Sequence, residues 1–388
     1  MNKAPHLILY VVNTPGFFLS HRLELAIKAK DNGYKVSVAT AYGGGIKQIT
    51  ELGLDHHIIP FSRSGQNLFQ EFNVLIKLIL LFWRLKPDLV HLVTIKPLLY
   101  GGFASRLLKI KHTVCAISGL GTTFISDTIL MRFRKRIIFK CYKFIFNQKN
   151  LMVILQNRDD INALQNIGIL QSDQVCLING SGVNLSKFKY VPETRRLTSS
   201  VVVMASRLLR DKGVFEFVEA ANLLKARGLN VRMLLIGKAD EGNPTSISKK
   251  EILAWTAEGV VEILGFRDDI AKQYAEANIV CLPSYREGLP KSLIEAAAIG
   301  RCVVTTDVPG CREVIIPDKT GCLVPARDPL ALANSIEKLL NDDTMRIKFG
   351  KAGRVFAENQ FDVYKIVQKH MTLYEAMFND KKIDINTY

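Results

Sequence analysis

Short apolar runs, each closed by a turn and followed by an amphipathic stretch, recur along nearly the whole chain, and this rhythm restricts the fold more than any other feature. Leu7–Val12, Lys35–Thr40, His57–Pro60, Leu89–Thr94, Thr113–Ile117 and Leu151–Leu155 have the length and content of buried strands. Between them the pattern predicts a helix over Ser20–Asn32, ended by Gly33, and another over Glu71–Leu85, stopped by Lys86-Pro87. Strands alternating with helices imply βαβ units and a parallel sheet covered on both faces.

The rhythm restarts after a polar break at Pro192–Ser200. Val201–Ala205, Val231–Ile236, Val261–Leu264, Ile279–Leu282 and Val303–Thr305 read as strands. Helices are predicted over Val214–Arg227, Lys249–Glu258, Ile270–Ala275, Lys291–Ile299, Ala331–Leu340 and Thr344–Asn359, with a last one over Val363–Phe378. A chain of 388 residues exceeds one compact core. The expectation is therefore α/β, with one doubly wound domain over residues 1–190 and a second over 191–360, followed by a helix and tail over 361–388. Open parallel sheets bind ligands beyond the carboxyl ends of their strands. The expected site is a cleft lined by loops that follow strands.

Charge divides unevenly. The chain carries +16, of which residues 1–190 hold 24 Lys/Arg against 10 Asp/Glu, so nearly all the excess lies in the first half. Such asymmetry points to an anionic surface as a partner of that half. The seven cysteines stand singly with no C-x-x-C pair, which argues against a zinc site or disulfide framework and fits a reducing cytosol. Leu7–Val12 is too short for a secretion signal, and Phe72–Leu85 falls short of the roughly 20 residues of a membrane span.

Three loop clusters carry candidate chemistry. In Ser206–Gly213, Arg207 and Lys212 sit five residues apart just before a predicted helix, an arrangement suited to a diphosphate. A solvated basic loop has the same composition. In Ser284–Glu295, Glu287 lies in a loop and Glu295 on the following helix, with Pro290 at its first position and Gly300 closing it. Carboxylates so placed can accept hydrogen bonds from sugar and ribose hydroxyls, and the amides of Gly288 and Leu289 lie near the helix's positive end; a capped surface helix would look alike. The third cluster pairs Gly16–Arg22, containing His21, with Gly119-Leu120-Gly121-Thr122, where glycines would let backbone approach a ligand or merely turn.

The S-R-x-x-x-x-K-G loop, followed about 75 residues later by E-G-x-P-x-S-x-x-E, resembles the retaining glycosyltransferases of family four. The resemblance covers essentially the whole chain, including the Gly16 loop, Gly237, Leu264–Asp269 and the A-x-x-x-G-x-x-V-V stretch from Ala296 to Val304. It implies the GT-B fold, two Rossmann-like domains facing a cleft with the C-terminal helix crossing back to the first. By position, Arg207 and Lys212 match the pair that neutralises the donor diphosphate. Glu287 matches the glutamate on the transferred sugar, Glu295 the one on the ribose, and Gly237, Phe266 and Arg267 the base pocket. Gly16 matches the turn on the diphosphate, while His21, Gly119, Gly121 and Thr122 fall on the acceptor side. Two departures stand out: Pro290 lacks an N–H where many relatives have one, and Ser118–Phe124 contains no histidine.

The implied reaction is transfer from a UDP-sugar with retention, needing no metal and no cofactor because Arg207 and Lys212 supply the countercharge. The closest likeness within the family is to bacterial enzymes that extend polyprenyl-diphosphate-linked sugars for O-antigen, capsule or glycoprotein glycan, with a lean to α-GalNAc or α-GlcNAc. Arg132, Arg134, Lys135, Arg136, Lys140, Lys143 and Lys149 interleave with aromatic and aliphatic residues, a pattern suited to an anionic membrane surface or to a buried helix with a solvated stripe. No nucleic-acid module is recognisable, so nucleic acid is not an expected partner. The expected location is cytoplasmic, peripheral on the inner face of the cytoplasmic membrane. A nucleotide-sugar 2-epimerase of similar fold and a non-catalytic membrane adaptor are the alternatives.

Overall fold

The computed structural model describes residues 5–62, 68–120, 129–193, 199–240 and 242–381. The chain divides into two units: Met1–Ser181 with Tyr364–Tyr388, and Gly182–Val363.

The first unit is a parallel sheet of seven strands: β1 (Leu7–Val12), β2 (Lys35–Thr40), β3 (Asp55–Ile58), β4 (Leu89–Val93), β5 (His112–Ile117), β6 (Leu151–Leu155) and β7 (Val175–Leu177). Their order is β3-β2-β1-β4-β5-β6-β7. The chain winds outward from β1 to β3, then returns to lay β4 against β1, with Tyr10 opposite His91. That reversal is the switch point of the sheet. Strands β4, β5 and β6 are buried along their whole length, as expected where helices cover both faces.

One predicted helix divides and one helix was not predicted. The helix expected from Ser20 to Asn32 is two helices, Pro15–His21 and Leu23–Asp31. Thr14 caps the first by accepting from the Phe17 amide at 3.2 Å, and Pro15 opens it. Gly16 therefore lies in the first helical turn instead of in a glycine-rich turn, and a Cβ there would meet nothing within 4 Å. Helix Ile95–Leu107 was hidden by Pro97, Gly101 and Gly102, which read as breakers. The two glycines are packing sites: Cβ atoms there would come within 2.5 Å of Leu92 and Ile145.

The last helix, Val363–Phe378, lies largely in the first unit, and its inner face holds a buried polar cluster. The Tyr374 hydroxyl shares a hydrogen bond with His91 Nδ1 and donates to the Tyr10 hydroxyl at 3.3 Å. Arg22, also buried, donates from Nη1 to the His21 carbonyl at 2.8 Å. Burial first, and the neighbouring Arg22 second, push His91 well below the ordinary histidine range and His370 to about 3, so both rings are neutral.

The second unit is a parallel sheet of six strands: β8 (Ser200–Ala205), β9 (Val231–Ile236), β10 (Glu262–Gly265), β11 (Ile279–Leu282), β12 (Cys302–Thr306) and β13 (Gly321–Val324), in the order β10-β9-β8-β11-β12-β13. Its switch point lies between β8 and β11, where Ile279 and Val280 pair with Val202 and Val203. The unit begins at Gly182, ahead of the polar break, because residues 182–191 are bonded into it. The Val183 amide donates to the Phe361 carbonyl at 2.7 Å, and Arg301 Nη1 donates to the Val191 carbonyl at 2.9 Å. Glu193 completes the seam by pairing with Arg346 at 2.7 Å, both side chains nearly buried.

Candidate active site

The two sequence motifs of the second unit leave adjacent strands. Ser206–Gly213 follows β8 and Pro283–Pro290 follows β11, so both emerge at the carboxyl ends flanking the switch point, where an open α/β sheet leaves a crevice. Backbone bonds knit the loops together: the Tyr285 amide donates to the Asp211 carbonyl at 2.9 Å, and the Glu287 amide to the Pro309 carbonyl at 3.0 Å. Glycines let the strands' ends close up. A Cβ at Gly237, whose φ is +146°, would lie 1.8 Å from the Ser206 carbonyl oxygen, and one at Gly213 would lie 2.1 Å from that of Pro283.

Within this frame Lys212 and Glu287 form an ion pair, both side chains largely buried. The Ser284 hydroxyl donates to the same Glu287 oxygen, Oε1, at 2.7 Å. Two donors on Oε1 fix the carboxylate. Gly310, at φ +83°, packs its backbone against the Glu287 and Gly288 carbonyls and fills the space a side chain would need. Ser284 opened the second sequence cluster without a role of its own, and Gly310 was not named from the sequence. The Pro309-Gly310 pair just after β12 was the available signal.

Arg207 stands apart from that pair, exposed, and donates from Nη1 to Asp240 Oδ2 at 2.8 Å. Asp240 follows β9 and was also not foreseen. Phe266 is exposed after β10, with the Lys238 ammonium 5.4 Å from its ring centre. Arg267 donates from Nε and Nη2 to the two carboxylate oxygens of Asp269, at 2.8 and 2.7 Å. The helix after the second motif runs Lys291–Ile299, so Pro290 is its N-cap, one residue before the expected first helical position. Leu289 is buried beneath it, and Gly288 lies at its approach. Glu295, one turn in, is largely buried beside Lys291, whose ammonium is 3.8 Å away. Burial pushes the Glu295 carboxyl up to about 7, with Lys291 and Lys187 opposing the rise.

In the first unit the corresponding crevice flanks β1 and β4. His21 lies at the C-terminal end of the Pro15–His21 helix, not at a helix start; it shares a 2.7 Å hydrogen bond with Ser20 and stacks on Phe17. Gly119 adopts φ +110° after β5, while Gly121 and Thr122 lie outside the described residues. After β4 stands Lys96, which no sequence motif singled out. Its ammonium reaches Glu71 Oε1 at 2.6 Å and the Ser62 carbonyl at 2.7 Å, and only the strand order reveals that it borders the crevice. Among the described residues no three His, Cys, Asp or Glu side chains are grouped to hold a metal ion.

The family model described as "Glycosyl transferases group 1" matches residues 186–356, and that described as "Glycosyl transferase 4-like" matches residues 7–157. The N,N'-diacetylbacillosaminyl-diphospho-undecaprenol alpha-1,3-N-acetylgalactosaminyltransferase of Campylobacter jejuni is 28% identical over 94% of this chain and 99% of its own length. The capsular polysaccharide biosynthesis glycosyltransferase CapM of Staphylococcus aureus is 27% identical over 84% of this chain and 86% of its own. In fold, the chain superposes on Anabaena HepE, solved with UDP-glucose, with a TM-score of 0.76 at 19% identity, covering 96% of this chain and 99% of that one.

Proposed function

The chain belongs to the glycosyl transferases, a 4-like half preceding a group 1 half, and on that premise we propose that it moves a sugar from a UDP-sugar to a polyprenyl-diphosphate-linked saccharide. The sugar is a hexose or N-acetylhexosamine, with α-linked GalNAc or GlcNAc first, and the anomeric configuration is retained. The activity of the C. jejuni relative and the capsular role of CapM support this choice of acceptor and of surface-glycan synthesis.

The observation that carries the reading is the Lys212–Glu287 pair, fixed by Ser284 at the switch point of the second sheet. Lys212, with Arg207, offers positive charge to the departing diphosphate without a metal or cofactor, and such fixed charge lowers the barrier where charge develops. Glu287 Oε2 is the atom offered to a hydroxyl of the transferred sugar. Glu295 receives the ribose hydroxyls, with Phe266 and Gly237 at the base. The acceptor oxygen attacks the anomeric carbon from the face the diphosphate leaves. As the bond to phosphate breaks, the acceptor proton passes to the departing phosphate oxygen. His21, Gly119 and the basic first half serve the acceptor and its membrane, the inner face of the cytoplasmic membrane. No helix among the described residues is long and apolar enough to cross one.

Purified protein incubated with a panel of UDP-sugars and short polyprenyl-diphosphate saccharides tests the reading. A product one sugar longer, α-linked, is expected with one donor. Turnover of UDP-GlcNAc without acceptor would instead make the chain an epimerase, and donor binding without turnover in any combination would overturn catalysis.

A further inference from the structure

Helix Leu68–Leu85 has two apolar faces. One joins the core of the first unit through Val74, Leu78, Leu81 and Phe82. The other looks outward: Phe72, Ile76, Leu80 and Trp83 are 62, 40, 57 and 66% exposed and recur every three or four residues, so they form one row along the helix. Lys77 and Arg84 flank that row, and the one acidic residue of the helix, Glu71, is turned inward to Lys96. Scattered exposed apolar residues are ordinary; a contiguous row of this size on one helix marks a docking surface.

Its chemistry is narrowed by a neighbour. Helices Leu68–Leu85, Ile95–Leu107 and Ile129–Phe146 pack side by side on one face of the sheet. The last of these buries Tyr142, Ile145 and Phe146 in the same core and exposes Arg132, Arg136, Lys140 and Lys143, again at helical spacing. A row of aromatic and aliphatic side chains and, across the intervening Ile95–Leu107 helix, a row of cations, in the half that carries most of the +16 charge, complement acyl chains and anionic headgroups.

We propose that helix Leu68–Leu85 lies in the plane of an anionic bilayer, with Phe72, Ile76, Leu80 and Trp83 immersed and the Ile129–Phe146 cations on the headgroups. This deepens the membrane part of the proposed function and shifts the anchor. Sequence patterning located attachment in Arg132–Lys149; the structure assigns the apolar contact to a helix the sequence marked only as amphipathic.

The chain has two tryptophans, and the other, Trp255, is 8% exposed in the core of the second unit, so Trp83 dominates any change at the surface. The full chain is mixed with phosphatidylglycerol/phosphatidylcholine vesicles. Co-sedimentation, a blue shift of emission and protection from iodide quenching are expected, and phosphatidylcholine alone should bind far less. The combined Phe72→Ser, Ile76→Ser, Leu80→Ser variant retains Trp83 and changes only residues already exposed. It should lose vesicle affinity at least tenfold with its melting temperature and UDP affinity unaltered. Replacing Arg132, Arg136, Lys140 and Lys143 by Ser should matter at low salt and vanish near 1 M, where charges act over only about 3 Å. Undiminished binding by the triple variant, or Trp83 open to iodide on vesicles, overturns the proposal. So does a dimer in light scattering that the triple variant dissolves, since the row would then serve a second copy. Sugar transfer to a short soluble acceptor is read separately, so a failure of catalysis and a failure of docking are told apart.

Discussion

Replacing Glu295 by Gln should stabilise the protein and weaken its nucleotide binding at once. The carboxyl is buried on helix Lys291–Ile299 and titrates near 7, not 4.5, with burial as the main cause. Below pH 4.5 it is protonated whether the chain is folded or not, and contributes nothing to the pH dependence. Between 4.5 and 7 the unfolded chain loses this proton and the folded one keeps it, so stability falls as pH rises; above 7 the loss is complete. One pKa unit corresponds to about 1.4 kcal/mol, so the whole loss is about 3 kcal/mol. Glutamine carries no such penalty. In a Trp83→Phe background, Trp255, packed edge-on to Phe215, reports urea unfolding of the second unit alone. The Glu295→Gln variant should lie within about 1 kcal/mol of wild type near pH 5 and exceed it by about 2–3 kcal/mol near pH 8. Calorimetry with UDP should meanwhile show a loss of about 1.5–3 kcal/mol, the worth of a hydrogen bond to a charged group. Stability curves that run parallel across this range would refute the burial argument, and unchanged UDP affinity would refute the ribose role.

Lys212→Ala should lower kcat/KM a hundredfold or more, since a lost charge on the leaving group costs about 2–4 kcal/mol in the transition state; near-wild-type rates in a folded variant would remove it from the mechanism. Glu287→Gln should depress kcat strongly while leaving UDP affinity nearly intact, which steady-state kinetics and calorimetry separate. Gly237→Ala should destabilise the second unit, because the new Cβ falls 1.8 Å from the Ser206 carbonyl at a strained φ; an unshifted melting temperature would contradict that geometry. Glu193→Gln should destabilise the second unit, by less than the roughly 3–5 kcal/mol of a buried charge left unpaired because Asp343 still holds Arg346, as read by denaturant unfolding.

Most strands and the doubly wound class were legible because fully buried parallel strands are near-continuous apolar runs, as in Leu89–Val93 and Ile279–Leu282, whereas the short edge strands Val175–Leu177 and Gly321–Val324 were not read. Lys212 and Glu287 were legible as separate members of two motifs. Their meeting was not, since it depends on β11 returning beside β8, which no local pattern records. Ile95–Leu107 was missed because Gly101 and Gly102 answer to Leu92 and Ile145, neighbours that exist only in three dimensions. The outward row of Leu68–Leu85 was missed for a related reason. A helix apolar on most of its circumference does not declare which arc the core will take.

The return of Tyr364–Tyr388 to the first unit means that the chain closes that unit last. A ribosome releasing this protein has made Gly182–Val363, a continuous and self-contained segment, before the first sheet receives its final helix. Until then Tyr10 and His91 lack Tyr374, and Phe378 has yet to stack on His6. The second unit, though later in sequence, can therefore complete itself earlier. A chain stopped just after residue 363 would hold a finished second unit joined to an unfinished first one, so premature termination there should expose the first unit's apolar edge to proteolysis while sparing the other.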